Sequence, residues 1–418
     1  MKKYIPWHLF LLLVLLTFSV QSCLWFGNGN SGNFTTTTTK SGQKIGITNQ
    51  VVFKGKIYFT INRDLYVLDG SRTITQLTHG IDVRDPSVSP DGKWIAFIER
   101  YYDYANLAIM STNGGPIHVL LNGNGQFIPN PGFAPKSTHN WFAQPAWSPD
   151  SKTIIFLSDL QKLYYWANYP YGDLGPDFDQ TPFLDMQVFS IPIANPPSKD
   201  TVMNSGIVAY ADYGDGGDRD PSYRPGNPNQ IIYTHYTYDA KTRTQQVVQL
   251  YMEDPKAIID HPEIHYHPGD PGAGYDPSIA ITPPSTTTTN IEPSFSPDGS
   301  YIAYVRNIDS NHMGIYVMSV PPATITTNPN NAAMQKLALV PYQKSSLIAS
   351  GEFVSQPIWS PDGKQIAYIA YTNSTFDIWL ANVSLNTKTG AYTLQGSPIQ
   401  LTDTNGLLNA DSRPFWTA

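Results

Sequence analysis

One fourteen-residue pattern recurs along this chain, and it constrains the fold more than any other feature. Residues 85–98 read DPSVSPDGKWIAFI, and residues 144–157 read QPAWSPDSKTIIFL. A degraded copy, DPSYRPGNPNQIIY, spans 220–233. Two clean copies follow, EPSFSPDGSYIAYV at 292–305 and QPIWSPDGKQIAYI at 356–369, and a sixth, RPFWTA, begins at 413 and reaches the last residue, 418. Repeats on this scale signal an array of equivalent supersecondary units. The local chemistry is that of a hairpin. Pro at the second turn position sets φ, Asp follows, and Gly92, Gly299 and Gly363 accept a positive φ, with Ser151 standing in that place in the second copy.

Behind each hairpin lies a third apolar run, at Leu107–Met110, Met186–Ser190, Val248–Met252, Ile315–Met318 and Ile378–Ala381, and usually a weaker fourth, such as Ile117–Leu121. Four antiparallel strands per unit make a propeller blade. The truncated sixth copy supplies a first strand only. Its missing strands are expected at the other end of the chain, in Lys56–Ile61, Asp64–Asp69 and Thr73–Thr78. Pairing the C-terminal strand with these would close the ring and remove open sheet edges. Six prolines (Pro86, Pro145, Pro221, Pro293, Pro357, Pro414) mark six first strands. The expected fold is therefore an all-β, six-bladed β-propeller with four antiparallel strands per blade. A seven-bladed ring with one unrecognised blade, or two separate β domains, are the alternatives.

The repeat resembles the WD40-like propeller repeat of the TolB family over roughly residues 51–418. The resemblance implies a propeller and, for the family, work in the bacterial cell envelope. It covers only the propeller part: nothing here matches the α/β domain that precedes it in TolB, since residues 24–48 are short and polar. Prolyl oligopeptidase-type propellers carry similar repeats beside a hydrolase domain, and no Gly-x-Ser-x-Gly nucleophile elbow is present.

The first 22 residues carry Lys2 and Lys3, an apolar run from Leu9 to Leu16 and then small residues, the pattern of an export signal. Val20-Gln21-Ser22-Cys23 resembles the bacterial lipobox. That resemblance implies cleavage before Cys23 and acylation of its thiol, which would hold the protein at a bacterial membrane on its extracytoplasmic side. Residues 23–48 are rich in Thr, Gly and Asn and are expected to form a flexible tether, leaving 49–418 as the propeller.

Charge excludes one class of partner. The formal net charge is −7, with no basic run to meet phosphates, so nucleic acid is not expected as a ligand. Four clusters stand out as candidate sites. Tyr164, Tyr165, Trp166, Tyr169 and Tyr171 crowd into an insertion between strands two and three of the second blade, where flat rings with polar edges suit peptide or sugar contacts. Asp85, Gln144, Asp220, Glu292, Gln356 and Arg413 precede the repeat prolines and, by pseudo-symmetry, line one mouth of the central channel. Carboxylates there could hold a divalent cation or a basic peptide end, or instead bond neighbouring-blade backbone. His261, His265 and His267, with Glu263, could assemble a transition-metal site, although the Pro- and Gly-rich loop around them favours a solvated segment. The acidic run from Asp212 to Asp220 lacks the closing Glu of a calcium loop.

Insertions at 123–142, 159–185 and 211–219 all fall on the face opposite the Ser-Pro-Asp-Gly turns. Long loops on a rigid scaffold carry binding residues. The function expected from these residues is therefore non-catalytic binding, by a monomer, of an envelope protein, an exposed peptide or a cell-wall glycan. The alternative is a polyuronate-lyase-like enzyme using a metal at the histidines. No cofactor is required by the first reading.

Overall fold

In a computed structural model the chain is a β-propeller. The structure describes residues 34–39, 41–128, 136–160, 185–193, 206–209, 211, 216–239, 241–257, 278–322 and 332–418. Each repeat opens a sheet. The first blade is Val83–Val88, Trp94–Arg100, Ala105–Ser111 and His118–Leu121. The second is Phe142–Trp147, Thr153–Ser158, Gln187–Pro192 and Gly206–Ala209. The third is Asp218–Arg224, Asn227–Tyr238, Gln246–Glu253 and Ser278–Ala280, and the fourth is Asn290–Phe295, Tyr301–Asn307, Met313–Ser319 and Ser346–Gly351. In the fifth, Val354–Trp359, Gln365–Thr372 and Thr375–Asn386 are followed by two short strands, Ala391–Leu394 and Ile399–Gln400, both paired to the third.

The closing blade joins the two ends of the chain. Phe415–Thr417 pairs antiparallel with Lys56–Ile61, Lys56 standing opposite Thr417, and Asp64–Asp69 and Ile74–Gln76 complete the sheet. Trp416 locks the junction: its indole N–H donates to the Lys54 carbonyl (2.7 Å), and its ring meets Phe53 edge to face at 6.0 Å. A side chain at Gly55 would strike the Thr417 carbonyl, so only glycine fits against the incoming C-terminal strand.

The six blades expected from the prolines are one too few, and the count is corrected to seven. The described residues form seven sheets of three or more strands, and the seventh is built from Phe34–Thr38, Lys44–Thr48 and Thr402–Asp403. Four strands per blade holds for most sheets but not for this three-stranded one, nor for the five-stranded fifth. Residues 34–48, expected to belong to a flexible tether, are thus a folded hairpin. The physical reason is in Ile45 and Ile47, which are fully buried between the fifth and closing blades with Ile57, Phe59, Leu401 and Trp416. Two buried isoleucines contribute about 3–6 kcal/mol, enough to order a short hairpin that composition marks as polar. Prolines could not count this sheet, because none of its strands carries the repeat motif.

The remaining core lies between blades. First- and second-blade residues share one apolar cluster, second and third another, and so on round to the closing and first blades. Side chains alternate along each strand to meet both neighbours. Tryptophans of the repeat add a bond across the gap: Trp147 Nε1 donates to Ser87 O (3.0 Å) and Trp359 Nε1 to Ser294 O (3.2 Å).

Strand directions define two faces. The Ser-Pro-Asp-Gly turns lie on one, the turn face; the loops between strands two and three, and those leading to the next blade, lie on the other, the loop face. Phe34 pairs opposite Thr48 and Thr38 opposite Lys44, while Ile47 faces Thr402 on the other side. Followed outward from the fifth blade, this register puts Phe34 on the turn face.

Candidate functional site

The residues before the repeat prolines come together as a ring, and all but Arg413 sit on a bulge. Arg84 pairs with Ile98 and Ser87 with Ala96, so Asp85 and Pro86 together oppose the single residue Phe97. The same two-against-one register shift recurs in the second, third, fourth and fifth blades. A bulge leaves one position without a ladder partner, which suits a residue that has no N–H. The opposing residue is aromatic and buried in every case: Phe97, Phe156, Tyr233, Tyr304 and Tyr368. Each bulge also drives its non-glycine residue to positive φ, 51° at Asp85, 48° at Gln144, 56° at Asp220, 55° at Glu292 and 55° at Gln356. Such a conformation costs on the order of 1–3 kcal/mol per residue and persists where surrounding contacts hold it.

Those contacts run from blade to blade. Asp85 accepts the Gln144 N–H (3.2 Å) from one neighbour and the Arg413 N–H (2.9 Å) from the other, while its own N–H donates to Ser412 Oγ (2.9 Å). Gln144 accepts the Asp220 N–H through Oε1 and donates through Nε2 to Asp220 Oδ1, both at 2.6 Å. Thr234 relays the next step, accepting the Glu292 N–H (3.1 Å) and donating to Asp220 Oδ2 (3.2 Å). Glu292 accepts the Gln356 N–H. At the seam the pattern stops: the Arg413 N–H has gone to Asp85, and the buried Gln356 Oε1 has no partner among the described residues. Arg413 reaches instead across the axis, where its guanidinium donates at 3.5 Å to the carbonyls of Pro145 and Pro221.

Electrostatics follow from this burial. Desolvation pushes the Asp85 and Asp220 carboxyls up, against the pull of Arg413 and their N–H donors. Burial, then the charge of Asp220, pushes Glu292 up to about 8, so it holds a proton at neutral pH. The ring therefore works as a set of latches between blades. Its carboxyl groups accept backbone N–H groups at Asp85 and Glu292, and the Gln144 amide and Thr234 hydroxyl at Asp220, with the Arg413 charge nearby.

The loop face offers a different chemistry. Among the described residues, five aromatic side chains are exposed: Tyr101, Tyr102, Tyr238, Phe353 and Tyr371. All five lie at the loop-face ends of strands or in the loops there. Phe353 and Tyr371 both pack against Phe376, with ring centroids 5.4 and 5.0 Å away. Tyr101 stacks on Tyr104 at 4.4 Å and 12°, and Tyr104 on His139 at 5.9 Å and 19°. The sequence reading missed this group, although the run Tyr101-Tyr102-Asp103-Tyr104 in a loop between strands was a visible signal.

Of the other sequence candidates, Tyr164, Tyr165, Trp166, Tyr169 and Tyr171, as well as His261, His265, His267 and Cys23, lie outside the described residues. Asp218 and Asp220, at the end of the acidic run, are buried rather than solvated, and Asp218 is bonded to His235 Nδ1 at 2.8 Å. Among the described residues no group of three or more His, Cys, Asp and Glu is arranged to hold a metal ion.

No protein-family model matches the chain, and no curated protein matches it. Solved structures do. TolB from Acinetobacter baumannii superposes with a TM-score of 0.51 at 13% identity, over 88% of this chain and 68% of that one. A putative TolB from Agrobacterium tumefaciens (TM-score 0.39, 14% identity, 68% of this chain and 76% of that one) is also similar. So is an oligogalacturonate lyase in complex with manganese (TM-score 0.43, 14% identity, 86% and 82%). The fold of this chain is that of the TolB-like propellers.

Proposed function

We propose that this protein is a non-catalytic binding propeller of the bacterial cell envelope, lipid-anchored at Cys23 on the extracytoplasmic side, which engages its partner with the loop face. The observation that carries the reading is that the exposed aromatics among the described residues all lie on that face. Aromatic rings are the residues most enriched at the energetic centre of protein contacts, and exposed ones in a group mark binding surfaces. The position of Phe34 on the turn face agrees with an anchor on the membrane side, leaving the loop face outward. The insertion holding Tyr164, Trp166 and Tyr169 has its ends, Asp159 and Asp185, at the loop-face ends of second-blade strands. The partner would be an envelope protein, an exposed peptide or a cell-wall glycan.

Affinity capture from detergent-solubilised envelopes tests this. Changing Tyr101, Tyr102, Phe353 and Tyr371 to Ala together should abolish capture while leaving thermal unfolding nearly unchanged. Undiminished capture by that variant would remove the loop face from the function. The enzyme alternative, with a divalent cation at His261, His265 and His267, predicts stoichiometric metal in the purified protein and turnover of uronate oligomers. Neither is expected.

A further inference from the structure

Near the loop face one row of residues recurs from blade to blade. In the first blade Val83, Glu99 and Asn106 stand opposite one another across three strands. In the second the row is Phe142, Ser158 and Gln187, in the third Asp218, His235 and Gln249, and in the fifth Val354, Ala370 and Asp377. The third-strand member is polar each time, and it straps down the segment that leaves the fourth strand. Asn106 Oδ1 accepts the Gly123 N–H (3.0 Å), and Asp377 Oδ1 the Thr404 N–H (2.8 Å). Gln187 Nε2 donates to Ala211 O (3.1 Å), and Gln249 Nε2 to Thr282 O. In the closing blade Asp64 accepts from Thr78 Oγ (3.4 Å).

The fourth blade departs from this. Its row is Asn290, Arg306 and Gly314, so the strapping side chain is reduced to a hydrogen. A Cβ on Gly314 would lie 2.7 Å from Leu347 Cδ1, 2.9 Å from Tyr316 Cε2 and 3.1 Å from Ile308 Cδ1. Those three side chains therefore converge where the strap stands in other blades. Ile308 and Leu347 are 45% and 47% exposed there. Arg306 is half-buried over the same ring, its guanidinium carbon 3.5 Å from the Tyr316 centroid and 5.3 Å from that of Tyr342. Its close neighbours are tyrosines, and among the described residues no carboxylate pairs with it. Asp309, on the loop that follows, is bonded to His312 Nδ1 (3.0 Å) and the Asn311 N–H (2.8 Å). On the inner side Asn290 is fully buried, and neither of its polar side-chain atoms has a partner among the described residues. A row with a cation, an unmatched amide and no anion lacks an acceptor.

We propose that Arg306, Ile308 and Leu347 receive the terminal carboxylate of a partner peptide that ends in an apolar residue. The proposal rests on the loop face being the binding face, where Arg306 ends its strand, and narrows the partner to one chemistry. Tyr316 covers a face of the guanidinium and leaves its N–H edge, the part that meets a carboxylate two bonds at a time. A terminal residue carries an anion and an aliphatic side chain on one carbon, matching a guanidinium and two aliphatic chains gathered on one ring. A uronate offers the anion without the aliphatic group.

The test is an anisotropy titration of the purified protein with hexapeptides dye-labelled at the N-terminus. The probes are Gly-Ser-Gly-Ser-Gly-Leu as free acid, its C-terminal amide, the free acid ending in Gly, and an amide with an internal Glu, together with a labelled galacturonate oligomer. The Leu acid should bind about tenfold tighter than its amide and about threefold tighter than the Gly acid. Arg306→Gln should erase the first preference. Leu347→Ser, at an exposed position where thermal unfolding should not change, should erase the second. Equal binding of acid and amide, or acid binding indifferent to Arg306→Gln, overturns the proposal. Arg306-dependent binding of the galacturonate oligomer or the internal-Glu peptide as tight as that of the Leu acid would also overturn it, yet leave the loop face as the binding face. Partner capture that survives loss of the loop-face aromatics would defeat the broader reading itself.

Discussion

Two sets of carboxylates six residues apart in the same repeat behave in opposite ways. Asp91, Asp150, Asp298 and Asp362 sit in the turns, and all are held below the usual carboxylate range. Hydrogen bonds from Ser89 and Ser148 do this at Asp91 and Asp150. At Asp298 and Asp362 partial burial pulls the other way and is outweighed by bonds from Ser296, Ser360 and the following N–H groups. Asp85, Asp220 and Glu292, on the bulges, are pushed up by burial despite donors of similar number. The lesson is that hydrogen bonds set the charge state only where water remains; at the axis desolvation wins. The turns are local caps that keep their charge. The ring is a set of inter-blade latches that tends to give it up.

The largest way to break this contrast is to remove the Arg413 cation at the axis. Arg413→Ala should cost about 3–5 kcal/mol, because buried carboxylates are left without their counter-charge. Urea unfolding at pH 5 and pH 8 should show the larger loss at pH 8, where more of them are ionised. A pH-independent loss would mean that Arg413 acts by packing alone.

Glu292 comes next. Its folded pKa, about 8, lies above the ordinary value of 4.5. The folded state therefore holds the proton more tightly than the unfolded state. The stabilisation this gives is complete below about 4.5 and is lost as pH rises through about 8. Glu292→Gln keeps an acceptor for the Gln356 N–H and should flatten the decline in stability between those limits. An unchanged pH profile in this variant would place the titration elsewhere.

A smaller effect is expected at Ser412, which accepts the Asp85 N–H. Ser412→Ala leaves that buried donor unmatched beside a strained φ and should cost about 1–2 kcal/mol, measured by chemical unfolding. The smallest belongs to the turns. Asp298→Ala loses bonds from Ser296 and Ser300 in a partly solvated place and should cost about 0.5–1 kcal/mol. Its contribution has the opposite pH sign, present above the unfolded pKa near 3.8 and lost as pH falls below it. A turn substitution costing as much as Arg413→Ala would erase the distinction.

Much of this was legible in the repeat. Ser-Pro-Asp-Gly specifies its turn through bonds within six residues, so reading one copy reads them all. The ring residues could be picked out by their place before Pro86, Pro145, Pro221, Pro293, Pro357 and Pro414. Their role could not, because it depends on which neighbour's N–H each side chain meets 59–76 residues away, or 328 at the seam. The aromatic that faces each bulge, Phe97 or Tyr304 for example, reads in sequence as an ordinary strand residue. The seventh sheet escaped for a related reason. Its strands, Phe34–Thr38 and Lys44–Thr48, are polar and short, and become strands only against Thr402–Asp403 and the buried face of the fifth and closing blades.

The amino-acid sequence by itself determined that this chain is a propeller of hairpins with its two ends side by side, since turns and strand alternation are properties of neighbours along the chain. Only the tertiary structure decided the number of sheets, which carboxylates keep their protons and which face carries the exposed rings. Each of those depends on how much water survives between segments distant in sequence, and no local pattern encodes that.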